Sequence, residues 1–342
     1  MLHEIDIQNL RGIHEGKLSG LRPLVVFVGP NSSGKSTVLD AILIAASPDP
    51  VAGFNLAINR RPGLDQPNQW IFWRQRTETP SSATLRAKSD EPFWRTVEVF
   101  RANPSQLDSP LQVSSFIDDM EHRSSQSRAD EQWLLQHRNR PNRERPRQIL
   151  KSRPLQDVPE VRLVDPHGAG PKSTLHELYT RVSERGLRKE AKSLVTALLP
   201  NLEDIEILSP NNQPIVYLAY HDGARPVDVA GDGIRLLLRL SFELAAPAGG
   251  IVLLEEPEVH MHPAAIRQLA LAIWAAVDRR IQVFVTTHSL DFIDALLATS
   301  DPGMLKELSI CRLQLENGQL TSTSISGPDA TLARTQIEDD LR

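Results

Sequence analysis

Cysteine is nearly absent from this 342-residue chain, in which Cys311 is the single example. A lone cysteine excludes an intramolecular disulfide framework and is typical of proteins kept in a reducing cytosol. No window of about 18 consecutive apolar residues occurs either, so we expect no transmembrane helix. Residues 1–7 alternate between apolar and acidic or polar side chains, unlike the basic and then apolar start of a signal peptide. We therefore expect a cytoplasmic protein that has no membrane partner.

Positive charge is in slight deficit, because 38 Lys and Arg face 43 Asp and Glu, which gives a net charge of −5. This balance argues against nucleic-acid binding over the whole surface. Residues 121–153 reverse the balance, with nine Lys or Arg against four Asp or Glu, and Trp133 lies among them. Two interpretations of this basic stretch stay open: a surface that contacts DNA, or a solvated loop that docks an acidic partner.

One stretch has the pattern G-x-x-x-x-G-K-[ST] of a phosphate-binding loop. It lies between the apolar run 24–28, a predicted buried strand, and residues 38–46, a predicted buried helix. Glycines let successive backbone N–H groups converge on phosphates, and the helix start adds its positive dipole end. We expect Lys35 to reach the β- and γ-phosphates of a nucleotide and the Ser36 hydroxyl to bind Mg²⁺. The predicted nucleotide-binding residues of this loop are Gly29, Pro30, Asn31, Ser32, Ser33, Gly34, Lys35, Ser36 and Thr37.

Two further apolar runs end in residues that suit phosphate chemistry. Ile251–Leu254 is followed by Glu255 and Glu256, and a P-loop enzyme needs a neighbouring strand that ends in an acid facing Mg²⁺. We assign that role to Glu255, and we expect Glu256 to polarise the water that attacks the γ-phosphate. His288 follows the run 281–285 and is expected to hydrogen-bond the γ-phosphate, because ligands of open α/β sheets bind at the carboxyl ends of the strands.

The remaining pattern predicts an α/β fold. Strands are predicted at 2–8, 13–18, 24–28, 204–208, 215–220, 251–255 and 281–285, with hairpins at 84–101 and around Asn317-Gly318. Helices are predicted at 38–46, around Leu175 and Ala191, from Gly233 to about Leu244, and at 264–277 and 290–297. Residues 50–80 are expected to be irregular, and 102–172 the least structured part. We expect a mainly parallel core sheet, an antiparallel side sheet and a helical lobe.

Four of these segments together resemble the ATP-binding-cassette ATPases, specifically their SMC, RecF and OLD (overcoming-lysogenization-defect) branch. They are Asn9–Gly12, Gly29–Thr37, Leu253–Pro257 and Thr286–Ser289. The resemblance implies that two heads close face to face on two ATP molecules, as a homodimer or a higher even oligomer. It also implies that a glycine-rich helix start, here Gly231, Asp232 and Gly233, completes the site of the partner subunit.

The same resemblance bears on several single residues. It places Arg11 near the nucleotide phosphates and a lobe-joining glutamine at Gln66, Gln69 or Gln75. Glu255 stands where most relatives have Asp, so Mg²⁺ contact through water or a shift of the contact to Glu256 both stay open.

The chain has no long heptad run, which excludes an SMC-type arm. We also expect no Toprim nuclease domain of the kind that OLD nucleases carry after their ATPase head. The chain resembles a stand-alone ATPase head, which implies hydrolysis of ATP to ADP and phosphate and a separate effector. The effector would be a nuclease or a toxin in antiphage defence or DNA repair.

Two alternatives remain. The first is a cytoplasmic nucleotide-binding subunit of a membrane transporter. Against it, the chain has no Leu-Ser-Gly-Gly-Gln string and no aromatic residue in the first strand region to stack on adenine, and Pro257–Pro263 looks OLD-like. The second alternative is a structural switch that binds ATP and turns it over very slowly.

We expect one ATPase head over residues 1–342. Its predicted parts are a P-loop and antiparallel β lobe (1–101), a variable basic insertion (102–172), a helical lobe (173–200), the half with the signature, the two glutamates and His288 (201–325), and a tail (326–342).

Overall fold

A computed structural model describes residues 1–60, 70–74, 80–90, 93–103, 111–119, 131–135, 160–165, 174–199, 201–245, 248–337 and 340–341. The strands are β1 (Leu2–Leu10), β2 (Ile13–Ser19), β3 (Leu24–Val28), β4 (Ser82–Ser89), β5 (Phe93–Arg101), β6 (Leu111–Asp119), β7 (Glu131–Leu135), β8 (Val161–Val164), β9 (Leu202–Leu208), β10 (Ile215–Tyr220), β11 (Gly223–Pro226), β12 (Ile251–Glu255), β13 (Gln282–Thr286), β14 (Leu308–Glu316) and β15 (Gln319–Ser326). The helices are α1 (Lys35–Ala46), α2 (Pro50–Asn59), α3 (Leu175–Glu184), α4 (Arg188–Thr196), α5 (Asp232–Leu244), α6 (Pro263–Asp278), α7 (Leu290–Thr299) and α8 (Gly327–Leu332).

Twelve of the described strands form one sheet, in the order β7-β6-β5-β4-β1-β2-β15-β14-β3-β13-β12-β8. Its core, β14-β3-β13-β12-β8, is parallel throughout. The strands from β7 to β2 pair antiparallel. β2 makes a short parallel contact with β15, and β15 pairs antiparallel with β14 at the edge of the core. The predicted parallel core and antiparallel side sheet are therefore confirmed, as parts of one continuous sheet. Because the core strands run the same way, the segments after β3, β8, β12 and β13 share one edge.

Both faces of the parallel core are covered, which explains its unbroken apolar strands. In β3, Val25 and Phe27 pack on the side of α1 and α2, whereas Leu24, Val26 and Val28 pack on the side of α5, α6 and α7. A third apolar cluster joins α3, α4 and one face of α5 to β9 and β10, which pair with β11 in a small antiparallel sheet. Helix α5 therefore connects the helical lobe to the core.

The expectation that residues 50–80 are irregular is wrong for residues 50–59, which form α2. Ser47-Pro48-Asp49-Pro50 does end α1, but it also starts the next helix. Asp49 accepts hydrogen bonds from the backbone N–H groups of Val51 and Ala52 at 2.9 and 3.1 Å, and Pro50 occupies the first helical turn. Proline is favoured at that position because its missing N–H would have no helical partner there.

The expectation that 102–172 is the least structured part is wrong for three segments, namely β6, β7 and β8. β6 pairs with β5 over nine residues, and β8 forms the edge of the parallel core beside β12. Pairing with neighbouring strands stabilises these segments more than the β-propensity of their own residues does. Their sequences therefore carry only a weak strand pattern. The rest of the basic stretch 121–153, with Arg138, Arg140, Arg143 and Arg145, lies outside the described residues, as do Gln66, Gln69 and Gln75.

Candidate functional site

The P-loop, residues 29–37, lies between β3 and α1 and takes a backbone path that requires glycine. Gly29 and Gly34 have φ values of 139° and 92°, and Ser32 has a φ of 65°. A Cβ on Gly29 would also lie 2.5 Å from the carbonyl oxygen of Leu313 on the neighbouring strand. The loop thus curls tightly against the sheet and turns into the N-terminus of α1, a geometry suited to an anion.

Lys35 lies inside this curl, with 6% of its surface exposed. Its Nζ donates hydrogen bonds to the carbonyl oxygens of Gly29 and Pro30, both at 2.9 Å. Burial lowers the pKa of Lys35, and the carboxylates of Glu256 and Glu255 oppose that effect. The structure therefore brings the loop lysine and both predicted acids to the same place.

Glu255 and Glu256 stand where β12 leaves the sheet beside β13. The Glu256 N–H donates to the carbonyl oxygen of Thr286 at 3.0 Å, and Glu256 has a φ of 42°. That left-handed conformation is uncommon for a residue other than glycine, and such strain is concentrated at functional sites. The turn places Glu256 Oε1 3.5 Å from Nε2 of His288, and about a third of each side chain is exposed.

A buried contact ties the two loops that carry Glu256 and His288. The Thr287 hydroxyl donates to Oε1 of Glu258, and the Ser289 N–H donates to the same hydroxyl at 2.9 Å. Glu258 is 9% exposed, and burial raises the pKa of its carboxyl. No role is predicted for Glu258 from the sequence. The one sequence signal for it is its position two residues after Glu256.

Arg60 was also missed. Its side chain is 3% exposed and reaches from the end of α2 to the edge of the sheet. Nε donates to Oδ1 of Asp40 at 2.7 Å, Nη1 donates to Asp165 at 2.8 Å and to Glu255, and Nη2 donates to the Ser36 carbonyl at 3.3 Å. Burial alone would lower the pKa of Arg60, but the carboxylates of Asp40 and Glu255 outweigh it and raise the pKa.

Arg11 lies in the turn between β1 and β2 with a φ of 52°. Its guanidinium donates to Asp40 and, at 2.9 Å, to the carbonyl oxygen of Ala57. Asp40 is therefore shared by two arginines. Contact of Arg11 with nucleotide phosphates stays a prediction.

Gly231, Asp232 and Gly233 open α5, with Gly231 as the cap residue. Gly231 is exposed, and a Cβ added to it would meet nothing within 4 Å. Val229, two residues earlier, is 73% exposed. This helix start is open to a second molecule, and its action on a partner's nucleotide stays a prediction.

The residues fit Mg²⁺ and a triphosphate. The Ser36 hydroxyl and the Glu255 carboxylate are hard oxygen donors of the kind Mg²⁺ takes, together with substrate phosphates. The N-terminus of α1 and Lys35 supply the positive charge that a phosphate chain requires.

These features define the class: the chain has the P-loop ATPase fold of SMC heads. It is similar to the Smc head domain of Pyrococcus furiosus, solved with an extended coiled coil and bound to the C-terminal domain of ScpA, at 12% identity and a TM-score of 0.57 over 99% of both chains. It is also similar to an SMC head bound to the C-winged helix domain of ScpA, at 14% identity and a TM-score of 0.57 over 96% of this chain and 99% of that one.

A family model matches residues 24–294, and the chain belongs to that family, described as "AAA domain, putative AbiEii toxin, Type IV TA system". No curated protein matches it. Among the described helices, none combines the length and apolar character needed to cross a membrane.

Proposed function

We propose that this protein binds ATP at the P-loop and hydrolyses it to ADP and phosphate. The observation that supports this most is the convergence of Lys35, Glu256 and His288 at the edge where the parallel strands end, with Glu256 and His288 3.5 Å apart. A base close to the loop lysine is the arrangement that γ-phosphate hydrolysis needs.

In this proposal, the N–H groups of the P-loop and the start of α1 bind the phosphates. Lys35 exchanges its bonds to the Gly29 and Pro30 carbonyls for bonds to the β- and γ-phosphates. Glu256 orients and deprotonates the attacking water, and His288 hydrogen-bonds the γ-phosphate. Ser36 and Glu255 would hold Mg²⁺, which neutralises charge on the phosphate oxygens when it is bound.

We further propose that ATP joins two copies of the chain. The exposed start of α5 at Gly231–Gly233 offers backbone N–H groups to the γ-phosphate bound by the other copy. This contact would make dimerisation depend on ATP, in line with the resemblance to SMC, RecF and OLD heads.

The biological role we propose is control of a separate effector, a nuclease or a toxin, in antiphage defence or DNA repair. Support comes from the family description, which names a putative toxin and a toxin–antitoxin system, and from SMC heads solved with a bound partner protein. A transporter subunit is not favoured, because the fold is similar to that of SMC heads and the family description names a putative toxin rather than a transporter.

DNA contact through residues 121–153 is part of this proposal and rests on their charge alone. Changing Arg138, Arg140, Arg143 and Arg145 to Ala should weaken DNA binding and flatten its salt dependence. Equal binding by the parent and the variant would remove DNA contact from the proposal.

The decisive experiment compares the parent with Glu256→Gln and the exposed control Glu307→Gln. We expect Glu256→Gln to keep ATP affinity but to lose about 10²–10⁴-fold in phosphate release, because the base is gone. It should also accumulate as an ATP-bound dimer in size-exclusion chromatography with light scattering. Glu307→Gln should behave like the parent.

Three results are informative in the other direction. Hydrolysis by Glu256→Gln at the parental rate would show that Glu256 is not the base. ATP binding by the parent without turnover would favour the slow switch. No ATP binding by the parent, measured with a fluorescent analogue, would overturn the proposal.

A further inference from the structure

Two residues predicted to hold Mg²⁺ lie on different elements, and one guanidinium contacts both. Ser36 is in the first turn of α1, and Glu255 ends β12. Arg60 donates through Nη2 to the Ser36 carbonyl at 3.3 Å and through Nη1 to Oε2 of Glu255. A planar, permanently charged fork suits such bridging better than the single ammonium of lysine does.

Arg60 is itself held in place. Asp40 binds its Nε at 2.7 Å, and Asp165, which follows β8, binds its Nη1 at 2.8 Å. These carboxylates belong to α1 and to the edge strand of the parallel core. The guanidinium is therefore fixed from two sides before it touches Glu255 or Ser36.

This arrangement bears on the length of Glu255. A glutamate has one more rotatable bond than an aspartate, so its carboxylate is harder to fix. Arg60 binds one carboxylate oxygen, Oε2, which restrains the side chain.

We propose that Arg60 is a positioning residue that holds Glu255 and Ser36 in the geometry needed to bind Mg²⁺ with ATP. This inference deepens the proposed function and rests on its assignment of Ser36 and Glu255 to the metal. It does not require that ATP be hydrolysed, only that it be bound.

The test measures the affinity of a fluorescent ATP analogue in Mg²⁺ and in EDTA, and the ratio of the two defines the Mg²⁺ gain. Arg60→Met should reduce this gain by about 10–100-fold, the usual effect of removing a residue that orients a metal ligand. Its affinity in EDTA should stay close to that of the parent. Arg60→Lys keeps the buried charge and should lose a smaller part of the gain, because one ammonium cannot bridge both contacts.

Arg95→Met is the matched control. Arg95 is a buried arginine that donates to carbonyl oxygens at the other end of α1, including that of Ala45 at 3.3 Å. Its loss should lower the unfolding temperature and leave the Mg²⁺ gain unchanged. If Arg60 had a purely structural role, Arg60→Met would also lower the unfolding temperature and keep the Mg²⁺ gain. Its affinity for the analogue would then fall equally in Mg²⁺ and in EDTA.

The outcomes separate the two proposals. A full Mg²⁺ gain in Arg60→Met, or in Arg60→Lys if the Met variant does not fold, overturns the role of Arg60 alone. A parent that binds ATP equally well in Mg²⁺ and EDTA overturns the metal assignment and this inference together. A parent with a normal gain but no turnover contradicts hydrolysis, while the role of Arg60 is still decided by the variants.

Discussion

Replacing Asp40 with Asn is a small change in side-chain shape, and we expect it to cost much of the free energy of unfolding. Asp40 lies on α1, five residues beyond Lys35, and is 1% exposed. Its Oδ1 accepts from Nε of Arg60 at 2.7 Å, and its Oδ2 accepts from Arg11. In Asp40→Asn one of these oxygens becomes an NH₂ group, so one arginine would face a donor instead of an acceptor, and the charge that attracts both arginines is lost.

The magnitude follows from the burial of the three charges. A pair of unit charges about 4 Å apart is worth roughly 4 kcal/mol at an effective dielectric constant of about 20, before desolvation is subtracted. Removing one partner of a buried pair costs about 3–5 kcal/mol, because the remaining charge is left uncompensated. Arg60 keeps Glu255 and Asp165, and Arg11 keeps the Ala57 carbonyl, so we expect the lower end, about 3 kcal/mol. Domains are stable by only about 5–15 kcal/mol in total.

Urea unfolding followed by circular dichroism and by tryptophan fluorescence measures this loss, and coincidence of the two curves tests two-state behaviour. The control is Asp291→Asn, an exposed acid in the first turn of α7, for which we expect a change within about 0.5 kcal/mol. A loss below about 1 kcal/mol for Asp40→Asn would refute the reasoning that the two arginines depend on this carboxylate.

Two further predictions concern the loop and the buried glutamate. Gly29→Ala should cost more stability and more ATP affinity than Gly34→Ala. Both glycines have a positive φ, but only at Gly29 would an added Cβ meet backbone, because it would lie 2.5 Å from the carbonyl oxygen of Leu313. Equal losses of the two variants in thermal unfolding and in ATP binding would contradict this. Burial raises the pKa of Glu258 above its ordinary value of 4.5, so its contribution to stability is present below that value and is lost as pH rises through the folded-state pKa. The melting temperature of Glu258→Gln relative to the parent should therefore increase from pH 5 to pH 8, and a pH-independent difference would exclude this origin.

Most of the candidate site was predictable because its parts are local. The strand, loop and helix around Gly29–Thr37 are contiguous, and the glycines required by positive φ occur at fixed spacing in the motif. Glu255 ends β12, Glu256 follows it, and His288 lies two residues after the end of β13. Parallel strands bring their carboxyl ends to one edge. The helix start at Gly231 was visible for the same reason.

Other parts were not predictable from local patterns. Asp49 before Pro50 is a signal for the start of α2, but the same residues also signal the end of α1. Whether a second helix follows depends on the packing of the residues after Pro50. Strand β8 is only four residues long, and it is held in the sheet by its parallel pairing with β12. Glu258 and Thr287 come together only because their two loops leave adjacent strands.

The sequence by itself determined which candidate groups the site contains: a P-loop, two acids and a histidine, each marked by the strand or helix next to it in the chain. Only the tertiary structure decided which charges meet. Arg60 binds Asp165 and Glu255, which are 105 and 195 residues away along the chain. Strand order and helix packing fix such contacts, and a buried ion pair leaves no periodic pattern in the residues that form it.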